Sequence, residues 1–208
     1  MKTILLFSIH FLFLSFAVYA DNPAVKLGHK LKAESIDISV FNNQYYFPFL
    51  GMKNLINAKY HPGIAFGYSR NLKEKKSRVL YSDVKLGLYH HRFIQTGIQL
   101  YGNIGYRFNL THKFYISTEY GLGYLHSIKH QTTFKADAEG NYSKISNFGR
   151  AQLMTGIGLG FGKQLTLASK PMRLYIKYQP WFQLPFIKSY VPLLPNNSMH
   201  LGINLILK

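Results

Sequence analysis

IQLYGNIGYRF (Ile98–Phe108) and FYISTEYGLGY (Phe114–Tyr124) stand five residues apart and share one pattern. In the first, Ile98, Leu100, Gly102, Ile104, Tyr106 and Phe108 take one parity, and Gln99, Tyr101, Asn103, Gly105 and Arg107 the other. In the second, Phe114, Ile116, Thr118, Tyr120, Leu122 and Tyr124 oppose Tyr115, Ser117, Glu119, Gly121 and Gly123. A period of two is the signature of a β-strand, whose successive side chains point to opposite faces. The informative face is the less apolar one. It carries Gly, Asn, Gln, Tyr and single charges, not the dense Lys and Glu of a water-facing sheet. Small and polar groups of that kind interdigitate inside a narrow barrel whose outer wall is apolar.

Working outward, the same plan repeats near 34–42, 60–71, 78–92, 96–110, 113–127, 150–163, 172–184 and 198–207. These segments predict an all-β fold, an antiparallel transmembrane β-barrel of about eight strands. Most reach the 9–11 residues that a tilted membrane strand needs. The connections alternate in length. Residues 71–77, 110–113 and 165–171 are short turns, while 43–59, 126–149 and 185–197 are long loops on the opposite side, and 92–95 is a short link on that side. Within the longest, residues 129–146 turn at Ala138-Glu139-Gly140-Asn141 and extend as a hairpin.

The N-terminus reads as an export signal: Lys2, an apolar run from Ile4 to Val18, and a small-x-small cleavage site at Val18-Tyr19-Ala20. Residues 1–20 are therefore assigned to a cleaved signal peptide, 21–33 to a short periplasmic segment and 34–208 to the barrel. The chain has no cysteine, which excludes thiolate catalysis and cysteine-held metals. It carries 25 Lys and Arg against 8 Asp and Glu. Export argues against nucleic acid as the partner of that charge, and lipid phosphates of an outer leaflet suit it.

These features resemble the small eight-stranded outer-membrane barrels of the OmpA-transmembrane and OmpX-like kind. A narrower likeness, carried by Tyr60-His61-Pro62-Gly63 and Tyr178-Gln179-Pro180-Trp181, is to uncharacterised outer-membrane barrels of the Bacteroidota. The resemblance implies a Gram-negative cell envelope and an integral outer-membrane location. It is architectural and names no activity. The chain departs from it at the end, Leu205-Ile206-Leu207-Lys208, where such barrels usually carry a terminal aromatic residue.

Parity places Asp37, Asp83, Lys85, Arg107, Glu119, Arg173 and Lys177 inside, an expected lumen ion-pair network filling a barrel too narrow for water. Two loops are unusually apolar. Tyr45, Tyr46, Phe47, Phe49 and Leu50 lie in the first, and Phe186, Ile187, Val191, Leu193 and Leu194 in the last. Barrel closure makes them neighbours, so they are expected to form either a self-packed cap or an interaction surface. Bases at Lys53, Lys59, Arg92, Lys129, Lys135, Lys144, Arg150 and Lys188 are expected on the same side, available to lipopolysaccharide phosphates.

Catalytic chemistry finds little footing. Ser198 and His200 share a face on the last strand and could pair as nucleophile and base, but no acid stands near them in sequence. His90 and His91 point to opposite faces, no metal-ligand spacing occurs, and no cofactor motif is present. The reading favours a structural or protein-interaction role in the envelope, as part of a larger outer-membrane complex, touching lipid and a protein partner. The alternatives are a lipid A or phospholipid acyl hydrolase and a conduit for a small or hydrophobic ligand.

Overall fold

The computed structural model describes residues 33–48, 60–130, 133–136, 140–145, 148–167, 170–186 and 192–207. The predicted signal peptide, and all of the predicted periplasmic segment except Ala33, lie outside those residues. The described strands are β1 (Glu34–Gln44), β2 (Pro62–Glu74), β3 (Arg78–His91), β4 (Gln95–Asn109), β5 (Phe114–Lys129), β6 (Thr133–Ala136), β7 (Tyr142–Ile145), β8 (Arg150–Leu167), β9 (Lys170–Leu184) and β10 (Leu194–Ile206). Eight of them close an antiparallel barrel in the order β1-β10-β9-β8-β5-β4-β3-β2, and β6 with β7 forms a separate two-stranded ribbon. Closure matters physically, because it leaves no row of unpaired N–H and C=O groups to face lipid.

The polarity is that of a membrane barrel. Outward positions are apolar and exposed: Ile36, Ile38 and Val40 on β1, Val84, Leu86 and Leu88 on β3, and Leu122 and Tyr124 on β5. Inward positions hold the polar groups, with Asp37, Asp83, Lys85, Gln99, Glu119 and Lys177 all buried. Water would penalise such an apolar wall and hydrocarbon does not.

Among the large inward side chains that lie across a glycine on the paired strand are four whose rings fold over it: Phe41 opposite Gly63, Tyr89 opposite Gly97, Tyr115 opposite Gly162 and Tyr175 opposite Gly202. A Cβ at any of these glycines would run into the aromatic ring. The missing side chain is thus the space into which the ring folds, and the lumen fills without widening the barrel.

Two segment boundaries differ most from the sequence reading. The residues 165–171, read as a turn, are strand as far as Leu167, which pairs with Lys170. Pro171 is tolerated there because β9 is paired on one side only at that point. The last strand begins at Leu194, not at residue 198, with Asn196 opposite Trp181 and Asn197 opposite Pro180. Pro195-Asn196-Asn197 has turn composition, but both amide side chains are bound by the barrel and hold it extended. Leu194, expected in an apolar loop, is therefore a strand residue.

Candidate functional site

The barrel has a turn end, with the short connections, and a loop end. Between them the inward side chains form three layers.

Nearest the turn end is a charged layer. Lys85 Nζ donates to Asp37 Oδ1 at 2.8 Å and lies 4.0 Å from Asp83 Oδ2. Lys177 Nζ donates to Glu119 Oε1 at 2.6 Å, and the Tyr81 hydroxyl donates to Glu119 Oε2 at 2.8 Å. The Tyr175 hydroxyl donates to Asp37 Oδ1, and Asn103 Nδ2 donates to Asp83 Oδ1. The ion pairs are buried, so each depends on its partner and on neighbouring hydrogen bonds to offset the cost of leaving water. Arg107 and Arg173 sit in the same layer without a salt bridge to any described carboxylate. Arg107 lies over the rings of Tyr81 and Tyr115, and Arg173 donates to Asn204 Oδ1 at 2.9 Å. A cavity of about 40 Å³ remains among these groups.

Above it lies an apolar layer in which Phe41, Ala65, Tyr89, Tyr101, Leu125, Met154 and Trp181 pack as one buried cluster. No sequence argument singled it out, since its members are scattered over seven strands.

Nearest the loop end is a neutral ring. Gln95 Nε2 donates to Gln183 Oε1 at 2.9 Å and to the Tyr89 hydroxyl at 2.7 Å. Gln183 Nε2 donates to Gln152 Oε1 at 2.7 Å, where the Ser127 hydroxyl also donates. On the other side Asn43 Nδ2 donates to Asn196 Oδ1, and the Trp181 indole N–H to the Ser198 hydroxyl oxygen at 3.0 Å. This ring was missed in the sequence because amides at strand ends look like loop residues. Its signal is parity: Gln95, Gln99, Gln179 and Gln183 all fall on the inward face of their strands.

Ser198 and His200 are both in this structure buried inside the lumen, at 2% exposure each. They are not brought together as nucleophile and base. The Ser198 hydroxyl donates to Asn43 Oδ1 at 2.8 Å, while His200 Nδ1 faces the Ser39 hydroxyl at 3.4 Å and its ring stacks on Phe41. A base must accept the nucleophile's proton, and here an amide oxygen takes that place.

At the loop end, His61 and His91 stack with ring centroids 3.6 Å apart, and Tyr45 meets His91 edge-on. Tyr45 therefore turns inward. Tyr46 and Phe47 are exposed, and their carbonyls accept from Asn197 Nδ2 of β10. Leu193 is exposed and Phe186 half-buried under Arg150. Phe49, Leu50, Ile187 and Val191 lie outside the described residues, as do Lys53, Lys59 and Lys188 and the side chain of Lys135. Beyond the first and last loops, Tyr60, Phe93, Phe134, Tyr142 and Phe148 stand exposed, Tyr142 at 76% and Phe148 at 85%. Arg92 and Lys144 are exposed among them, and Lys129 and Arg150 are half-buried. His126 Nε2 meets the Phe148 carbonyl at 2.8 Å, and Thr96 bridges His90 and His130.

No protein-family model and no curated protein matches the chain. Solved structures do. Neisserial surface protein A matches with a TM-score of 0.50 at 10% identity, over 86% of this chain and 99% of that one. The attachment invasion locus protein Ail of Yersinia pestis gives 0.45 at 12% identity over 85% and 99%, and the outer membrane enzyme PagL gives 0.39 at 10% over 81% and 97%. The fold of this chain is that of the small eight-stranded outer-membrane β-barrels.

Proposed function

We propose that this chain is a non-conducting, non-enzymatic outer-membrane barrel that acts in the cell envelope through its loop end, as a structural or protein-binding subunit of a larger complex. The observation that carries this reading is the contrast between a lumen filled in three layers and a loop end that leaves Tyr142 and Phe148 at 76% and 85% exposure. Exposed aromatic rings cost free energy in water and recover it on burial against a partner, with Tyr and Arg prominent at such contacts. The bases of the loop end, Arg92 and Lys144 among them, are placed for phosphates of lipopolysaccharide beside the protein partner. Export by residues 1–20, with cleavage after Ala20, and a periplasmic segment at 21–33 belong to the same proposal.

The test is photo-crosslinking in intact cells from a probe residue at Tyr142 or Phe148, followed by identification of the adducts. A discrete protein adduct from the loop end, absent with a probe at lipid-facing Leu86, is expected. Adducts to lipid alone would refute the protein-partner reading, and a steady conductance in planar bilayers would refute the closed lumen. Lipid A with the same acylation with and without the gene is expected, since the Ser198 hydroxyl gives its proton to the Asn43 amide oxygen and to no base among the described residues.

A further inference from the structure

We propose that the cavity in the charged layer is a binding site for one small monovalent anion of chloride size, held by Arg107 and Arg173. Seven charged residues line it: Asp37, Asp83 and Glu119, and the four bases Lys85, Arg107, Arg173 and Lys177. The cavity lining thus carries one positive charge in excess, and the Glu74 carboxylate acts on Arg173 only from outside it. The three carboxylates are already engaged, Asp37 and Asp83 by Lys85 and Glu119 by Lys177. The excess therefore falls on the two guanidiniums.

Neither finds a full complement of acceptors within the protein. Arg107 is 6% exposed and lies 5.0 Å from the centre of the Tyr81 ring and 5.5 Å from that of Tyr115. Ring faces attract the cation's charge but replace few of its five N–H bonds. Arg173, at 7% exposure, gives one bond to Asn204, and its Nε is buried with no acceptor. Buried N–H groups of this kind almost always have a partner. The barrel wall around them faces hydrocarbon, which weakens screening and raises the cost of a lone charge.

An anion resolves both defects at once: it accepts from the orphaned Arg173 Nε–H and offsets the excess charge. The single excess charge selects a monovalent anion, and a cavity of about 40 Å³ admits one of chloride size, since about 10–15 Å³ already holds one water. Guanidinium groups are also the side chains best shaped to hold anions in a partly dry site.

Bromide supplies a direct probe. Crystals of the full-length protein grown in bromide should show an anomalous peak in contact with Arg107 and Arg173. In lipid vesicles, the urea midpoint should be higher in sodium chloride or bromide than in sodium gluconate at equal ionic strength. Sulfate should behave as gluconate does. Arg173→Gln should weaken the chloride effect at least tenfold in half-saturating concentration. Should that variant fail to fold, the wild-type bromide peak and anion series still decide. Peaks only on the outer surface, or equal midpoints in chloride and gluconate, overturn the proposal. A response to sulfate as strong as to chloride overturns the assigned charge.

Discussion

The charged layer and the amide ring do the same job, filling one cross-section of a narrow barrel, by opposite chemistry. In the charged layer a few strong pairs carry the arrangement, and each member is a liability without its partner. In the amide ring each bond is weak and neutral, but Gln95, Gln183, Gln152 and Ser127 hand donors and acceptors from strand to strand. A paired layer should therefore fail abruptly at one substitution, and a networked layer should degrade in steps. The apolar cluster between them keeps the two regimes from mixing.

The largest effect should come from removing one charge. Glu119→Ala strips Lys177 of its acceptor and should cost about 3–5 kcal/mol in urea unfolding from vesicles, without opening a conductance. The double change Glu119→Leu with Lys177→Met sharpens the point: it should recover most of that loss, since neither charge is left buried alone. A double variant as unstable as the single one would break the comparison.

Next comes overpacking at a glycine. Gly97→Leu puts side-chain atoms where the Tyr89 ring lies and should cost about 1–3 kcal/mol by the same assay. Gln183→Leu, in the amide ring, should cost about 1–3 kcal/mol, because Gln95 and Gln152 keep other partners. A loss as large as that of Glu119→Ala would show that the ring is not a distributed network. The smallest effect on stability should come from Tyr142→Ser with Phe148→Ser. It should stay within about 0.5 kcal/mol while abolishing the protein adduct formed from a probe at exposed Phe134, since both rings are exposed.

Much of the fold can be read from alternation alone, because a barrel wall imposes one rule on every strand. Parity also assigned Asp37, Asp83, Lys85, Arg107, Glu119, Arg173 and Lys177 to the inside, where the structure buries all seven. What parity does not carry is partnership. Lys177 and Glu119 stand on β9 and β5, the two neighbours of β8, and reach each other over its glycines at a register no single strand encodes, so the pairing, and the lack of one at Arg107 and Arg173, appears only in three dimensions. Ser198 and His200 share a face in sequence, yet neighbours on β1 divide them, one bonded to Asn43 and the other beside Ser39. Pro195-Asn196-Asn197 misleads for a related reason. Local composition says turn, and tertiary hydrogen bonds overrule it.

The aromatic rings seated across glycines bear on assembly as well as on packing. Alternation forbids a slip of one residue between strands, because it would turn every side chain to the wrong face. A slip of two preserves the faces and escapes that check. At most seams the rings act as keys cut for one notch: shifted by two, Tyr89 would meet Gln95 or Gln99, and Tyr175 would meet His200 or Asn204. The β5–β8 seam is different. Gly156, Gly158, Gly160 and Gly162 recur at every second position, so Tyr115 could move from Gly162 to Gly160 and still find a notch. Errors in threading this barrel should concentrate at the two seams of β8, whose glycines also face Tyr175 and Trp181 of β9, and the β5–β8 seam is the one bridged by the longest connection and its ribbon.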